Sequence, residues 1–245
     1  MQQEIFSRAE RLLGSEAMNS IARKSVIIFG VGGVGSWCAE SLVRSGVRRL
    51  VMVDADRVSI TNVNRQLMAT TNTVGQVKVE ALKERLLTIN PSAEIIALQR
   101  LFNAETADSF KLNSYDYIID AIDSLKDKAL LIQMATKTQA KFFSSMGAAL
   151  KIDPTRIKTA EFWKVHGDPL ARALRKRFKR DGNYPERKFQ CVYSDELLEN
   201  KGCTSATDAA PGIIAKAQVN GSLAHITAIF GFMLAGLVLQ DAVAK

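Results

Sequence analysis

A glycine-rich segment between a buried strand and a helix constrains the fold of this chain more than any other feature. The apolar run 24–29 ends at Gly30, and Gly30, Gly32 and Gly35 form a G-x-G-x-x-G pattern that leads into a predicted helix over 36–45. In this context the glycines let the backbone approach a phosphate, and the helix N-terminus faces its negative charge. The segment therefore predicts a nucleotide-binding turn.

Strands and helices alternate through the first 150 residues. The short apolar runs predict buried parallel strands over 24–30, 49–54, 94–98, 116–120 and 141–145. One or two short helices are predicted before the first strand, over 4–22, and further helices lie between the strands, over 36–45, 76–90 and 125–139. This alternation predicts an α/β fold with a doubly wound, mostly parallel, Rossmann-like sheet.

The pattern changes after Gly147. We expect an edge strand over 157–161 and a basic helix over 169–179, within a smaller C-terminal substrate-binding extension. The resulting division is a nucleotide-binding region over 1–150 and a second region over 151–245, packed as one structural unit. Residues 217–240 contain no Asp, Glu, Lys or Arg and are long enough to be considered as a membrane span. Their glycine and polar residues favour instead a strand and helix buried in the core or in a subunit interface.

Cysteine usage and charge exclude some classes of protein. The chain has three cysteines, Cys38, Cys191 and Cys203, and no C-x-x-C pair, so a structural zinc ribbon is excluded. The odd count and an N-terminus without an apolar signal segment predict a cytoplasmic protein. The net charge is +8, and the window 164–188, with nine basic and three acidic residues, holds six of those charges. We therefore expect one localised basic surface.

The glycine segment alone fits both NAD and ATP. Asp54 ends the second strand 19 residues after Gly35, where a carboxylate can bind ribose hydroxyls in either nucleotide. A nicotinamide-dependent oxidoreductase has little use for cations at the phosphates, whereas adenylation builds negative charge on the α-phosphorus and on the leaving pyrophosphate. Arg65 and Lys78 supply such cations, with Asn62 and Asn64 placed to orient the phosphates. ATP is therefore the preferred ligand.

Asp123 follows the fourth strand, at the sheet edge where open α/β folds bind ligands. A carboxylate there can hold Mg²⁺ against ATP phosphates. The alternative is that Asp123 is only the N-cap of the next helix, a role that Ser124 fills equally well.

Five motifs in order make the resemblance to a family specific. They are Gly30-x-Gly-Gly-x-Gly-Ser36, Asp54-x-Asp56, Thr61-Asn-x-Asn-Arg-Gln66, Val74-Gly-Gln-x-Lys78 and Asp120-x-x-Asp123. Together they resemble the ubiquitin-activating-like adenylating family, also called ThiF/MoeB/HesA. The resemblance implies ATP binding by Gly33, Asp54, Asn62, Asn64, Arg65, Lys78 and Asp123. It also implies a homodimer, in which an N-terminal arginine, Arg8 or Arg11, reaches the partner's ATP.

The second half resembles the tRNA threonylcarbamoyladenosine dehydratases within that family. The matching segments are Ser144–Ala148, Ile152–Pro154, Asp168-Pro-Leu-Ala-Arg172, Cys191-Val-Tyr-Ser194 and Gly221-Ser222. The implied reaction is adenylation of the threonyl carboxylate of a modified adenosine beside the anticodon, followed by closure of a five-membered ring and loss of AMP. Because the nucleophile lies within the substrate, no catalytic cysteine is required. Cys191 is therefore expected to be a small buried apolar residue.

The resemblance also gives the basic window a role. Six side chains are the candidates for contacts with tRNA phosphates: Arg172, Arg175, Lys176, Arg177, Lys179 and Arg180. The aromatic residues Phe178, Tyr184 and Phe189 would then stack on bases. The ordinary alternative is a solvated helix face.

Other functions stay open at this point. One is adenylation of the C-terminus of a ubiquitin-like sulfur carrier, against which the missing C-x-x-C pairs argue. Another is a nicotinamide-dependent enzyme or a simple nucleotide-binding module. A monovalent cation near Gly147 or Gly221 and docking of a sulfur-relay protein are further possibilities that the family allows.

Overall fold

A computed structural model describes residues 2–202 and 220–244 of the chain. Seven strands form one sheet: β1 (Ser25–Phe29), β2 (Arg49–Val53), β3 (Glu94–Leu98), β4 (Tyr117–Asp120), β5 (Lys141–Ser145), β6 (Ile157–Glu161) and β7 (Gln190–Ser194). Eight α-helices accompany them in the described residues: α1 (Gln2–Ile5), α2 (Ser7–Leu13), α3 (Ser15–Arg23), α4 (Gly35–Arg44), α5 (Lys78–Ile89), α6 (Leu125–Ala135), α7 (Pro169–Asp181) and α8 (Ala224–Val243).

The strand order is β3-β2-β1-β4-β5-β7-β6. Every neighbouring pair is parallel except β6 and β7, which are antiparallel. The order reverses at β1, and this reversal opens a crevice at the carboxyl ends of the strands. The predicted doubly wound, mostly parallel sheet is confirmed.

The core lies on both faces of the sheet because successive strand residues point to opposite sides. In β1, Val26 and Ile28 pack into the apolar cluster beneath α3, α4, α5 and α8. Ile27 and Phe29 pack into the cluster beneath α6 and α7. A strand buried on both faces reads as a continuous apolar run, which is why β1 is visible in the sequence.

Three features differ from the sequence expectations. The segment 4–22 forms parts of three short helices, and the helix expected over 125–139 ends at Ala135. Strand β7 was not predicted, and it joins the second half to the first by pairing with β5. The domain boundary near residue 150 stays a prediction.

Helix α8 is long and apolar enough to span a membrane, yet half of its most apolar stretch is buried inside the protein. Gly231 lies so close to α4 that a Cβ there would fall 2.5 Å from the carbonyl oxygen of Val34. Near the end of α8, Asp241 accepts a hydrogen bond from the Tyr117 hydroxyl at 2.9 Å. These contacts agree with the expected core helix. The strand expected before it falls partly on residues 217–219, outside the described residues.

Candidate functional site

A cavity of about 830 Å³ opens at the carboxyl ends of the parallel strands. Phe29, Val53 and Ser145 line it at the ends of β1, β2 and β5, and Ala121 lines it just after β4. This is the edge at which open α/β folds bind ligands. The cavity is therefore the candidate site.

The glycine segment forms one wall of the cavity through Gly30, Gly32 and Gly33. Gly30 has a φ of +85°, and a Cβ there would fall 2.7 Å from the carbonyl oxygen of Ala121. Gly35 lies outside the wall and closes the turn, because a Cβ there would fall 1.9 Å from the carbonyl oxygen of Gly30. Helix α4 begins at Gly35, so its N-terminus lies beside the cavity.

Asp54, Asp56 and Lys78 form a connected group on the next wall. The Asp54 carboxylate accepts hydrogen bonds from the backbone N–H groups of Val31 and Asp56, each at 2.9 Å. Asp56 binds the buried Lys78 ammonium at 2.7 Å, and its carbonyl oxygen accepts the Lys78 N–H at 3.0 Å. Asp54 is thus fixed in place, and its carboxylate oxygens can accept further hydrogen bonds. Lys78 is held at the cavity. The motif Asp54-x-Asp56 did not by itself indicate a role for Asp56.

Arg65 lines the cavity, whereas Asn62 and Asn64 do not. The Arg65 guanidinium donates to the Thr61 carbonyl at 3.0 Å and to Asn64 Oδ1 at 2.9 Å. Asn64 also donates to the Ser222 carbonyl at 2.9 Å, which ties this segment to the C-terminal part of the chain. Asn62 caps its own turn by accepting the Ser59 N–H at 3.0 Å. As direct ATP ligands, both asparagines stay predictions.

Asp123 and Ser124 both line the cavity, together with Asp127. Ser124 is the N-cap of α6: its hydroxyl accepts the Asp127 N–H and donates to Asp127 Oδ2 at 2.8 Å. Since Ser124 caps the helix, Asp123 is left to face the cavity. No group of three or more His, Cys, Asp or Glu residues that could hold a metal occurs in the described part of the chain.

A buried ion pair that the sequence analysis missed lies beside Asp123. Lys128 Nζ is 2.8 Å from Asp120 Oδ2 and donates to the Ile122 carbonyl at 2.9 Å. Asp120 also accepts the Ser144 hydroxyl at 2.7 Å. The available signal was a lysine within the apolar face of a helix, between Leu125 and Leu131.

The second half of the chain supplies the remaining wall through Leu170 and the segment that holds Asn220 and Ser222, next to Gly147. Asp168, which is buried, caps α7 by accepting the Ala171 N–H at 2.7 Å and also accepts the Gly147 N–H at 3.1 Å. Burial raises the pKa of Asp168. The basic helix is thereby anchored at the edge of the cavity.

Helix α7 presents its basic residues to solvent, because Ala171, Leu174 and Phe178 occupy its buried face. The exposed candidate tRNA residues are Arg172, Lys176, Lys179 and Arg180, and these four form the exposed arc of α7. Arg175 and Arg177 are half-buried, and Arg177 lies 3.4 Å from Asp181. Asp181 also pairs with Arg180 at 2.8 Å. Four of the six candidates are therefore exposed to solvent.

Two of the three aromatic residues proposed for base stacking are in the core. Phe178 and Phe189 are buried, Phe178 on the inward face of α7 and Phe189 against Phe142 and Phe162. The prediction that these two rings stack on bases is wrong, because both rings pack in the apolar core between α7 and the sheet. Tyr184 is exposed, and so is Trp163, which the sequence analysis did not single out.

Cys38, Cys191 and the N-terminal arginines are not part of the cavity wall. Cys38 and Cys191 are free and buried, and burial raises the pKa of both thiols. Cys203 lies outside the described residues. Arg8 and Arg11 are exposed on α2 and do not line the cavity of their own chain. Action of either arginine in a partner's site stays a prediction.

The chemistry of this wall fits ATP. A glycine turn and a helix N-terminus lie beside two cations, Arg65 and Lys78, and a fixed carboxylate, Asp54. Buried Gln66 also lines the cavity, and its Oε1 has no hydrogen-bond partner within the described residues. Mg²⁺ is usually bound by one or two carboxylates together with phosphate oxygens of the substrate. Asp123 and Asp127 can supply the carboxylates.

Comparison with known proteins gives consistent matches over nearly the whole chain. The ThiF family model matches residues 6–243. The tRNA threonylcarbamoyladenosine dehydratase of Bacillus subtilis (strain 168) is 40% identical over 241 residues, covering 96% of this chain and 93% of that protein. The enzyme of the same description from Escherichia coli (strain K12) is 34% identical, with coverages of 98% and 94%. The crystal structure of the E. coli tRNA N6-threonylcarbamoyladenosine dehydratase in complex with ATP matches with a TM-score of 0.85 at 32% identity, covering 98% of this chain and 94% of that one.

Proposed function

The chain belongs to the ThiF family, and on that premise we propose that it is an ATP-dependent tRNA-modifying enzyme. It adenylates the threonyl carboxylate of threonylcarbamoyladenosine in tRNA and closes the cyclic product with release of AMP. The observation that carries this proposal is the shared cavity, whose walls join the nucleotide-binding glycines to Leu170 and Ser222 of the second half. The near full-length similarity to the B. subtilis dehydratase supports the choice of substrate.

The first step forms an acyl-adenylate. An oxygen of the threonyl carboxylate attacks the α-phosphorus of ATP, and the bond to the bridging oxygen breaks to release pyrophosphate. Asp54 binds the ribose hydroxyls, and the glycine turn accommodates the phosphates. Arg65 and Lys78 neutralise the charge that develops on the phosphate oxygens. When bound, Mg²⁺ supplies further neutralisation of the phosphates, with Asp123 as its protein ligand.

The second step closes the ring within the substrate. The ureido group attacks the acyl carbon and gives up one proton, the bond to the phosphate oxygen breaks, and AMP leaves. The substrate loses one water overall, and ATP is converted to AMP and pyrophosphate. Proximity of the two groups replaces a protein thiol. The burial of Cys38 and Cys191 supports this thiol-free route.

Helix α7 holds the tRNA backbone. Its exposed arc carries Arg172, Lys176, Lys179 and Arg180, and the half-buried Arg175 and Arg177 flank the arc. Because Asp168 anchors the start of α7 to Gly147, a tRNA on this helix reaches the cavity with its modified nucleoside. If α7 were only a solvated helix face without a ligand, its position next to the cavity would have no functional reason.

A homodimer is the proposed assembly. Helix α8 leaves Phe232 exposed, and the Phe232 ring packs edge-to-face on Trp37 of α4 at 5.8 Å. Leu223, just before α8, is also exposed. A second copy of the chain would cover this apolar face and bring Arg8 or Arg11 to the neighbouring ATP site. The packing of α8 against α4 favours a helix of the core over a membrane span.

The remaining proposals concern environment and accessory ligands. The free cysteines and a tRNA substrate favour the cytoplasm. A monovalent cation near Gly147 or Gly221 is tested by exchanging potassium for sodium or choline in the assay. Docking of a sulfur-relay protein is tested by co-purification.

Nucleoside mass spectrometry tests the proposed function. Threonylcarbamoyl-modified tRNA incubated with the protein and ATP should lose the mass of one water at that nucleoside, and samples without ATP should not. The alternative, adenylation of a sulfur carrier's C-terminus, predicts pyrophosphate exchange stimulated by a carrier peptide and not by modified tRNA. Exchange that responds only to the peptide would overturn the tRNA assignment.

A further inference from the structure

Trp163 and Tyr184 form an exposed aromatic pair beside the basic helix. Their side chains are 43% and 48% exposed, and their ring centroids lie 6.1 Å apart with planes at 44°. Neither ring contributes to the ATP cavity. Large aromatic faces left in water beside positive charge are typical of surfaces that stack nucleic-acid bases.

The Trp163 ring rests on a rigid support. It packs edge-to-face against the buried Phe162 at 5.1 Å. Phe162 in turn stacks on Phe189 at 5.0 Å and meets Phe178 at 5.9 Å. Since the supporting rings belong to the core, little conformational freedom is lost when Trp163 binds a flat ligand.

The loop that carries Tyr184 is anchored to α6 and to the segment after it. Gln133 Nε2 donates to the Asn183 carbonyl at 2.8 Å, and the Glu186 N–H donates to the Thr136 hydroxyl at 3.1 Å. The Arg187 guanidinium donates to the carbonyl oxygen of Ala140. The two aromatic rings are thus placed from separate elements, and both placements are fixed by contacts within the protein.

The charge around the pair selects an anionic partner. The Arg175 guanidinium lies over the Phe162 ring at 5.8 Å and donates to the Phe162 carbonyl at 3.2 Å. Lys164 directly follows Trp163 in the chain, and Lys188 lies four residues after Tyr184. Neither lysine has an ion-pair partner within the described residues. A ligand with flat apolar faces and a phosphate backbone matches this combination of aromatic rings and cations.

The pair lies at the far end of α7 from the cavity. Leu170, in the first turn of α7, lines the cavity, whereas Tyr184 follows Gly182 at the other end. At 1.5 Å per residue, the helix extends about 18 Å between these ends. Trp163 agrees with this placement, because β6 runs antiparallel to β7 and ends at the opposite edge of the sheet from the cavity. A nucleotide on the pair is therefore not the one that enters the active site.

We propose that Trp163 and Tyr184 form a stacking platform for an unpaired base of the tRNA substrate, outside the reacting nucleoside. This inference rests on the proposed tRNA-modifying function. It assigns the aromatic contact to Trp163 and Tyr184, in place of the buried Phe178 and Phe189.

Filter-binding measurements on the full protein with threonylcarbamoyl-modified tRNA test the platform. Trp163→Ala and Tyr184→Ala should each weaken binding about 5- to 150-fold, which corresponds to the 1–3 kcal/mol of one stacked base. Trp163→Phe and Tyr184→Phe should retain most of the affinity for tRNA, because both variants keep an aromatic ring. The slope of affinity against salt should stay unchanged, since no charge is removed. If an alanine variant had only a structural defect, its melting temperature would be lower. Both phenylalanine variants serve as folded references for this comparison.

Tryptophan fluorescence gives an independent result, because the chain has only Trp37 and Trp163. Binding of tRNA should quench wild-type emission and protect it from acrylamide, and Trp163→Phe should lose this response. Wild-type affinity in both alanine variants, or an unchanged emission on binding, would overturn the platform. Binding does not require turnover, so failure of wild-type protein to cyclise the nucleoside would contradict the proposed function and leave this test intact.

Discussion

Lys128 Nζ lies 2.8 Å from Asp120 Oδ2, and both side chains are completely buried beside the loop that carries Asp123. Lys128→Met should destabilise the protein by about 3–5 kcal/mol, because Asp120 would stay buried without its counter-charge. Urea unfolding measures the change. The double variant Asp120→Asn/Lys128→Met should lose less free energy of unfolding than the two single variants lose in sum. Strictly additive losses would contradict the coupling of the two side chains.

Lys78 is a buried cation of the cavity wall that Asp56 holds in place. Lys78→Met should reduce ATP-pyrophosphate exchange about 10²- to 10³-fold, because charge developing on the phosphates loses a donor. Lys83→Met, on the same helix and outside the cavity wall, is the matched control. Exchange within a few-fold of wild type, in a folded variant, would remove Lys78 from the mechanism.

The exposed arc of α7 should determine how steeply tRNA affinity falls with salt. Lys176→Ala/Lys179→Ala should lower the slope of log affinity against log salt by about 1.4–1.8, according to whether single-stranded or duplex phosphates are contacted. Arg23→Ala/Lys83→Ala removes two charges on the other face of the sheet and should leave the slope unchanged. An equal decrease of the slope in both double variants would indicate only a general electrostatic attraction between protein and tRNA.

Asp195 should stabilise the folded chain fully only above its unfolded pKa. Hydrogen bonds from Lys158 and Arg156 hold its pKa well below the ordinary 3.8. The stabilisation is therefore complete above that ordinary value and is lost as the pH falls toward the folded pKa. The difference in urea midpoint between wild type and Asp195→Asn should be larger near pH 5 than near pH 3. A constant difference throughout would exclude the ion pair as its cause.

The buried thiols should be dispensable and unreactive. Burial raises the pKa of Cys38 and Cys191, so little thiolate exists near neutral pH. In a Cys203→Ser variant, a thiol-specific reagent should label the folded protein only after denaturant is added. Cys191→Ala should retain cyclisation, and loss of cyclisation with retained pyrophosphate exchange would implicate a covalent intermediate.

The sequence determined the nucleotide-binding half almost completely. Buried parallel strands read as continuous apolar runs, and the glycines, Asp54, Arg65, Lys78 and Asp123 lie in local motifs close to those strands. The spacing of such residues follows from one strand-turn-helix unit, and no distant contact is needed to recognise it. The family resemblance could therefore be stated from the residues alone and is confirmed by the ThiF match.

Tertiary structure decided which side chains of the second half are available. Phe178 and Phe189 looked like base-stacking residues in the sequence, but the packing of α7 on the sheet buries both and leaves Trp163 and Tyr184 in water. Lys128 looked like an ordinary helix lysine until β4 placed Asp120 against it. Partner choice and much of the burial arise from contacts between separate elements of the fold, and the local pattern shows an apolar helix face without showing what packs against it.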